Sequence, residues 1–140
     1  MALKDAVKEI VDELQTIKDI RRVPDNPPEN NDQFPFAVAY PLTGAYTAGP
    51  PVGNLKGLHN VNVELHIARK DLPRDYALVM DIIDQIPEEL VKLLNAGGYS
   101  NLATFGEITY TFGPLSWAGV DTLGVTYTIT DVKVETDISS

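Results

Sequence analysis

The sequence predicts an α+β fold, a mostly antiparallel or mixed β-sheet with an N-terminal helix and a central helix packed on one of its faces. In two segments apolar residues recur every three or four positions, as in amphipathic helices. In other segments they alternate with polar residues, as in half-buried strands. The 140 residues are typical of one domain, which we expect over residues 1–140.

The first helix is predicted in ALKDAVKEIVDELQTI, at the start of the chain. Its apolar stripe comprises Leu3, Val7, Ile10, Val11, Leu14 and Ile17. A short extended piece, DIRRV, follows, and segment 24–33 is rich in proline and asparagine, which is typical of an exposed loop. FPFAVAYPL is then predicted to be a strand, with Pro35 and Pro41 bracketing its ends.

An uncharged region extends from Gln33 to Leu55. Within it, TGAYTAGPPVGN is rich in glycine, proline and small side chains, which predicts a long loop. Such a loop could be buried against another protein, or it could be a hairpin with a flexible tip, and both interpretations remain open. The candidate residues for a subunit or partner interface are Tyr46, Val52, Leu55, Leu58 and His66.

The next strand, GLHNVNVELHIAR, contains both histidines of the chain. His59 and His66 are seven residues apart, so they point to opposite faces of a regular strand and cannot share a metal ion. Glu64 and His66 do share a face, but no cysteine and no further histidine could complete a metal site. We therefore expect no metal ion, no cofactor and no catalytic residue here.

The central helix is predicted to begin after the N-cap residue Asp71. Its buried stripe is expected to comprise Tyr76, Val79, Met80, Ile83 and Ile86. Pro87 should break or kink the helix, and PEELVKLLN should form a second short helix. The outward acidic residues Asp81 and Asp84 are interpreted as solvated charge rather than as a cation site.

The last third of the chain predicts antiparallel strands. ITYTF places Ile108, Tyr110 and Phe112 on one face, and GPLSWAG should be a turn or a short edge piece. In VDTLGVTYTITDVKVE the residues expected to point inward are Leu123, Val125, Tyr127, Ile129, Val132 and Val134. The inward positions are odd-numbered up to Ile129 and even-numbered from Val132. Because the alternation changes phase between these two residues, we predict a β-bulge or a strand end near Thr130–Asp131.

Charge and motifs exclude several classes of function. The formal net charge of -9 disfavours binding to nucleic acids and to anionic membranes. We find no signal peptide, no apolar run long enough to span a membrane, no nucleophilic-serine motif and no phosphate-binding loop. Glu107 and Asp121 could pair across a hairpin as an acid and a base. With His66, they define the alternative function of an acidic hydrolase or small-molecule-binding domain.

The order of elements resembles that of the tail terminator (tail completion) proteins of long-tailed bacteriophages. The resemblance is carried by ALKDAVKEIVDELQTI, PFAVAYPLTGAY, HNVNVELHIARKDLPRDYALVMDII and ITYTFGPLSWAGVDTLGVTYTITDVKVE. These segments cover most of the chain, and the likeness is one of layout rather than of a diagnostic motif. Segment 24–33 has no place in the family pattern.

This resemblance implies a structural virion protein rather than an enzyme. The protein would form a homo-oligomeric ring, expected to be a hexamer, that caps the tail tube and ends its polymerisation. Its partners would be the tail tube protein and the head–tail connector protein, and DNA would pass its acidic lumen without specific binding. It would be assembled in the host cytoplasm and lie in the tail or neck of the virion. A head–tail connector, neck or tail tube component is the nearest alternative.

Overall fold

The computed structural model describes residues 2–25, 34–49, 54–68, 72–94 and 106–137. In chain order the elements are helix α1 (Ala2–Leu14), strands β1 (Phe36–Gly49) and β2 (Asn54–Ile67), helix α2 (Leu72–Leu94), and strands β3 (Ile108–Trp117) and β4 (Val120–Asp137). The four strands form one sheet in the order β1-β2-β4-β3, and every neighbouring pair is antiparallel. The predicted α+β fold, with an N-terminal and a central helix, is confirmed.

The core lies between the two helices and one face of the sheet, which we call the helical face. The sheet contributes alternate residues of its two inner strands, among them Val61, Val63 and Leu65 of β2 and Val125, Tyr127, Ile129, Val132 and Val134 of β4. Helix α1 contributes Ala6, Ile10, Val11 and Leu14, and α2 contributes Val79, Ile82, Ile86 and Leu90. The other face, called the second face, carries the even-numbered residues of β2. Neither helix has an apolar stretch long enough to cross a membrane.

The chain after α1 runs along the beginning of β1. Arg22 forms a parallel bridge with Phe36, and the amide of Ala37 donates to the carbonyl oxygen of Arg22 at 3.0 Å. The predicted extended piece after the first helix is therefore present. Because it pairs with the start of β1, it leaves only the later part of that strand as an unpaired edge.

The segment predicted to be a long loop is the outer half of β1. Residues 43–49 pair with β2, from Thr43 opposite Asn60 to Gly49 opposite Asn54. Over the described residues this segment is therefore one strand of a hairpin, and the tip at 50–53 lies outside them. Burial of the segment against another protein stays a prediction. Pro41 does not end the strand, because β1 is an edge strand and a proline nitrogen that faces outward loses no hydrogen bond. The pairing register shifts between Pro41 and Thr43.

Helix α2 passes through Pro87 without a break, so the prediction of two helices was wrong. A proline has no amide hydrogen and leaves the carbonyl four residues earlier without its helical partner. That carbonyl belongs to Ile83, and its oxygen accepts a hydrogen bond of 2.9 Å from the hydroxyl of Tyr127 on β4. The sheet thus supplies the hydrogen bond that the helix cannot make for itself.

The buried stripe of α2 also differs from the prediction. Tyr76 and Met80 were expected in the core but are 55% and 49% exposed, and Ile83 is only partly buried. The fully buried residues are Val79, Ile82, Ile86 and Leu90. The predicted stripe and the observed one overlap, and both have helical spacing. The observed stripe, which continues to Leu90, is the one that packs against α1 and the sheet.

The last two strands form a hairpin with a tight turn. β3 continues through Pro114 to Trp117, so the predicted turn or short edge piece is the end of a full strand. The turn is made by Ala118 and Gly119, both with positive φ. Further along β4, two residues, Thr130 and Asp131, lie opposite the single residue Asn60 of β2. The pairs on either side are His59 with Val132 and Val61 with Ile129. This confirms the β-bulge predicted at Thr130–Asp131, where Asp131 has a φ of 58°.

Replacing Tyr127 with Phe should lower the free energy of unfolding by about 1–2 kcal/mol, since the carbonyl of Ile83 would lose its hydrogen bond in a part-buried position. The exposed Tyr110 is the control, and Tyr110→Phe should change stability by less than about 0.5 kcal/mol. Urea titration measures both. In a Pro87→Ala background the amide of residue 87 can donate to Ile83, so Tyr127→Phe should cost less. An equal cost in both backgrounds would contradict the compensating role of the hydroxyl.

Candidate functional site

A polar and aromatic cluster lies on the second face of the sheet around His66. The Nε2 atom of His66 lies 2.8 Å from Oε1 of Glu64, and its Nδ1 lies 2.7 Å from the Oγ1 of Thr122. The hydroxyl of Tyr40 donates to the other carboxylate oxygen of Glu64. The imidazole stacks on Phe36 with ring centroids 4.8 Å apart. Alternation along β1 and β2 brings these groups together, because Phe36 pairs directly with His66.

A carboxylate, an imidazole and a hydroxyl in this order resemble the relay of a hydrolase. His66 and Thr122 are fully buried, however, so no substrate can reach the hydroxyl oxygen. The arrangement satisfies every polar atom of a buried histidine and thereby holds β1, β2 and β4 in register. His66 was predicted as an interface residue, and this was wrong because its ring is enclosed by Phe36 and Trp117.

The second proposed pair of catalytic groups is separated by the length of the hairpin. Asp121 pairs with Ser116 near the turn, whereas Glu107 precedes Ile108 at the opposite end of β3. Glu107 and Ser116 are nine residue steps apart along the chain, a distance of about 30 Å at ~3.3 Å per residue. The two carboxylates cannot act on one bond. Within the described part of the chain, no three His, Cys, Asp or Glu side chains are grouped closely enough to hold a metal ion.

His59 occupies a narrow slot on the helical face, as the opposite-face prediction requires. Its ring lies over Gly44 and Gly57, and the edge of Tyr46 meets it at a centroid distance of 5.0 Å. Burial lowers the pKa of His59, and its buried Nε2 has no hydrogen-bond partner among the described residues. The neutral ring is therefore favoured, and its contribution to stability declines as the pH falls below 6.5. The slot ties the outer parts of β1 and β2 together.

One exposed apolar part of the sheet is the outer hairpin, defined as residues 41–49 of β1 and 54–58 of β2. Leu42, Tyr46 and Leu58 are 52%, 54% and 48% exposed. Tyr46 and Leu58 lie on opposite faces, because Tyr46 pairs with Gly57 and therefore lies on the face away from Leu58. The outer hairpin thus offers apolar side chains on both sides, which is unusual for a surface that meets only water.

Two further interface candidates are Leu55 and Val52. Leu55 is half-buried at the base of the hairpin tip, where it pairs with Ala48. Val52 lies outside the described residues. Of the five candidates, therefore, Tyr46 and Leu58 are the two that present a large exposed apolar side chain.

Both edges of the sheet are open over part of their length. We call residues 43–49 the β1 edge and residues 108–113 the β3 edge. Every residue from Thr43 to Ala48 is exposed, as are those from Thr109 to Phe112, and neither edge contains a charged residue. No other described strand pairs with either edge. An uncharged open edge is a template for pairing with another chain.

Sequence reasoning missed the β3 edge. Tyr110 and Phe112 were expected on one face with Ile108, and they do share the helical face, but they are 58% and 40% exposed. Neither helix covers the outer part of this face, so these side chains remain at the surface. The available signal was the absence of charge from Ile108 to Val120, which distinguishes this edge from an ordinary solvated strand.

Comparison with protein-family models gave no match, and comparison with curated proteins gave no match either.

Replacing Gly44 with Ala should lower the free energy of unfolding by about 1–3 kcal/mol, because the added methyl group would overlap Nδ1 of His59. Gly113→Ala is the matched control, since no atom lies within 4 Å of a methyl group there. Thermal and urea unfolding measure both. In a His59→Ala background the penalty of Gly44→Ala should shrink. An unchanged penalty would contradict the proposed overlap.

Glu64 makes the fold sensitive to acid. Burial acts to raise the pKa of Glu64, but the hydrogen bonds from His66 and Tyr40 and the attraction of the His66 ring outweigh it and leave the pKa below 4.5. The stabilisation is therefore complete above pH 4.5 and is lost as the pH falls through the lower pKa of the folded state. Glu64→Gln should be less stable than wild type at about pH 7, with a difference that narrows towards about pH 3. Urea titrations at both pH values test this, and a constant difference would contradict it.

Proposed function

We propose that this protein is a structural virion protein that caps the tail tube of a long-tailed bacteriophage as a ring. The ring ends polymerisation of the tube and forms the joint to the head connector. The proposal starts from the resemblance of the element order to the tail terminator proteins. The outer hairpin, with its exposed Leu42, Tyr46 and Leu58, is the observation that carries it.

A surface of this kind is expected in a subunit of an assembly. Its large apolar side chains lie at the end of the sheet that β1, β2 and β4 form beyond the start of β3, where no described helix covers them. Leaving such side chains in water is unfavourable by about 25 cal/mol for each Å² of apolar surface, and a neighbouring protein removes that cost. Because Lys56 is the one charged residue of the outer hairpin, a neighbour can cover the hairpin with little desolvation of ions.

The acidic residues are compatible with contact to a DNA-containing tube. The net charge of -9 repels the phosphate backbone, so DNA can pass without being held. The alternative of an acidic hydrolase has no comparable support, because His66 and Thr122 are fully buried and Glu107 lies far from Asp121. A neck component or a tail tube component would use the same kind of surface and remains the alternative within this class.

The first test is the solution mass of the purified protein by light scattering over a range of concentrations. A hexameric ring has six times the subunit mass of 15.3 kDa. Leu58→Glu places a charge on the outer hairpin and should shift the protein to the monomer, whereas Val91→Glu, at an equally exposed site on α2, should not. Equal masses for the two variants would exclude the outer hairpin as the contact.

The second test addresses the cap itself. The protein is added to the polymerising tail tube protein of the phage or prophage that encodes it, and tube lengths are measured by electron microscopy. We expect shorter tubes with one blocked end for the wild type and for Val91→Glu, and unrestricted growth with Leu58→Glu. Tubes of unchanged length with the wild-type protein would contradict the proposed function.

A further inference from the structure

We propose that neighbouring copies join through their sheets, with the β1 edge of one copy forming main-chain hydrogen bonds to the β3 edge of the next. This inference rests on the ring of the proposed function and specifies which surfaces meet in it. The partner is a second copy of this chain, and the contact is heterologous because two different edges meet.

The start of β1 limits which part of this strand can pair with another copy. Near Phe36 the outer side of β1 is already paired, because the amide of Ala37 donates to the carbonyl oxygen of Arg22. Pro41 then provides no amide hydrogen. From Thr43 to Ala48 the strand is exposed, and from Thr43 to Gly49 it pairs only with β2 among the described elements. The pairing-competent part of this edge is therefore its outer half.

The β3 edge is bounded in a similar way. Residues 109–112 are exposed, and β3 pairs only with β4 among the described strands. Pro114 interrupts the row of amide groups beyond Gly113. The two edges are therefore of similar length, seven residues at 43–49 and six at 108–113. Strands of this length are typical of sheets in folded proteins.

The distribution of charged residues along the chain favours contact between these two edges. Two copies that each carry a net charge of -9 repel one another over most of their surfaces. Residues 33–55 and 108–120 are the two long stretches that contain no charged residue and include an open edge. Edge strands that must stay unpaired normally carry lysine or other charged side chains, and both edges lack them. Approach along these edges thus encounters the least repulsion.

The order of strands makes the contact directional. β1 and β3 lie at opposite sides of the same sheet, so each copy can use one edge towards each neighbour. Joining unlike edges extends the sheet from copy to copy, with the second faces all on the same side. An assembly of this kind closes into a ring if the rotation between copies permits, and otherwise it grows as a filament.

Disulfide trapping tests the contact in the intact chain, which has no cysteine of its own. Ala45, Thr47, Thr109 and Thr111 are exposed and all lie on the second face. Single-cysteine variants at 45 or 47 are mixed with tagged variants at 109 or 111 and oxidised. Cβ atoms on paired strands come close enough for a disulfide. At least one combination should give a mixed disulfide about tenfold more abundant than any mixture with Val91→Cys.

Several outcomes would overturn the inference. Disulfides within the 45 or 47 variants alone, or within the 109 or 111 variants alone, would show that like edges meet. Mixed disulfides no more abundant than those of the Val91→Cys control, in a sample that light scattering shows to be oligomeric, would mean that copies join elsewhere. A protein that is monomeric at every concentration would also exclude the contact.

Failure of this inference and failure of the proposed function give different results. If copies join elsewhere but the protein still shortens tail tubes, only the edge contact is wrong. If mixed disulfides form at the two edges but tube lengths do not change, the contact is real and the proposed function is wrong. Circular dichroism of each variant confirms that the fold is retained.

Discussion

The pairing of β2 with β4 is the contact on which the rest of the structure depends. These are the two inner strands, and their register runs from Asn54 opposite Asp137 to Ile67 opposite Leu123. It sets which residues enter the core, because both helices pack on the side chains that this pair directs to the helical face. It also sets the second face, where Thr122 of β4 is brought to the ring of His66. A slip of one residue would exchange the two faces.

The fold class, the opposite faces of the two histidines and the β-bulge near Asp131 could be predicted because alternation and its phase are local properties of the sequence. The continuity of α2 could not, since the hydroxyl that compensates for Pro87 comes from a residue 40 positions later. The exposure of Tyr76 likewise depends on how the helix is rotated against its neighbours. The glycine-rich composition of residues 43–49 suggested a loop. The segment is nevertheless part of β1, because pairing with β2 overrides its weak local preference.

The two histidines of β2 differ in their hydrogen bonding and in their place in the sheet. His66 finds a hydrogen-bond partner for each nitrogen, whereas the Nε2 atom of His59 has none among the described residues. The first connects three strands within the body of the sheet, and the second fills a slot in its outward extension. Both rings are buried and pack within the described sheet. The features left for interaction are the outer hairpin and the two open edges.

The strand order has a consequence for the growing chain on the ribosome. β1 and β2 form a hairpin early, but β4 is the last of the described strands to be synthesised and must enter beside β2, so the centre of this sheet is completed last. Its partners on β2 precede it by 56 to 83 residues, from Ile67–Leu123 to Asn54–Asp137. Until then the inner side of β2 presents open main-chain groups and an apolar face. A nascent chain therefore exposes apolar surface and main-chain groups that the finished sheet covers.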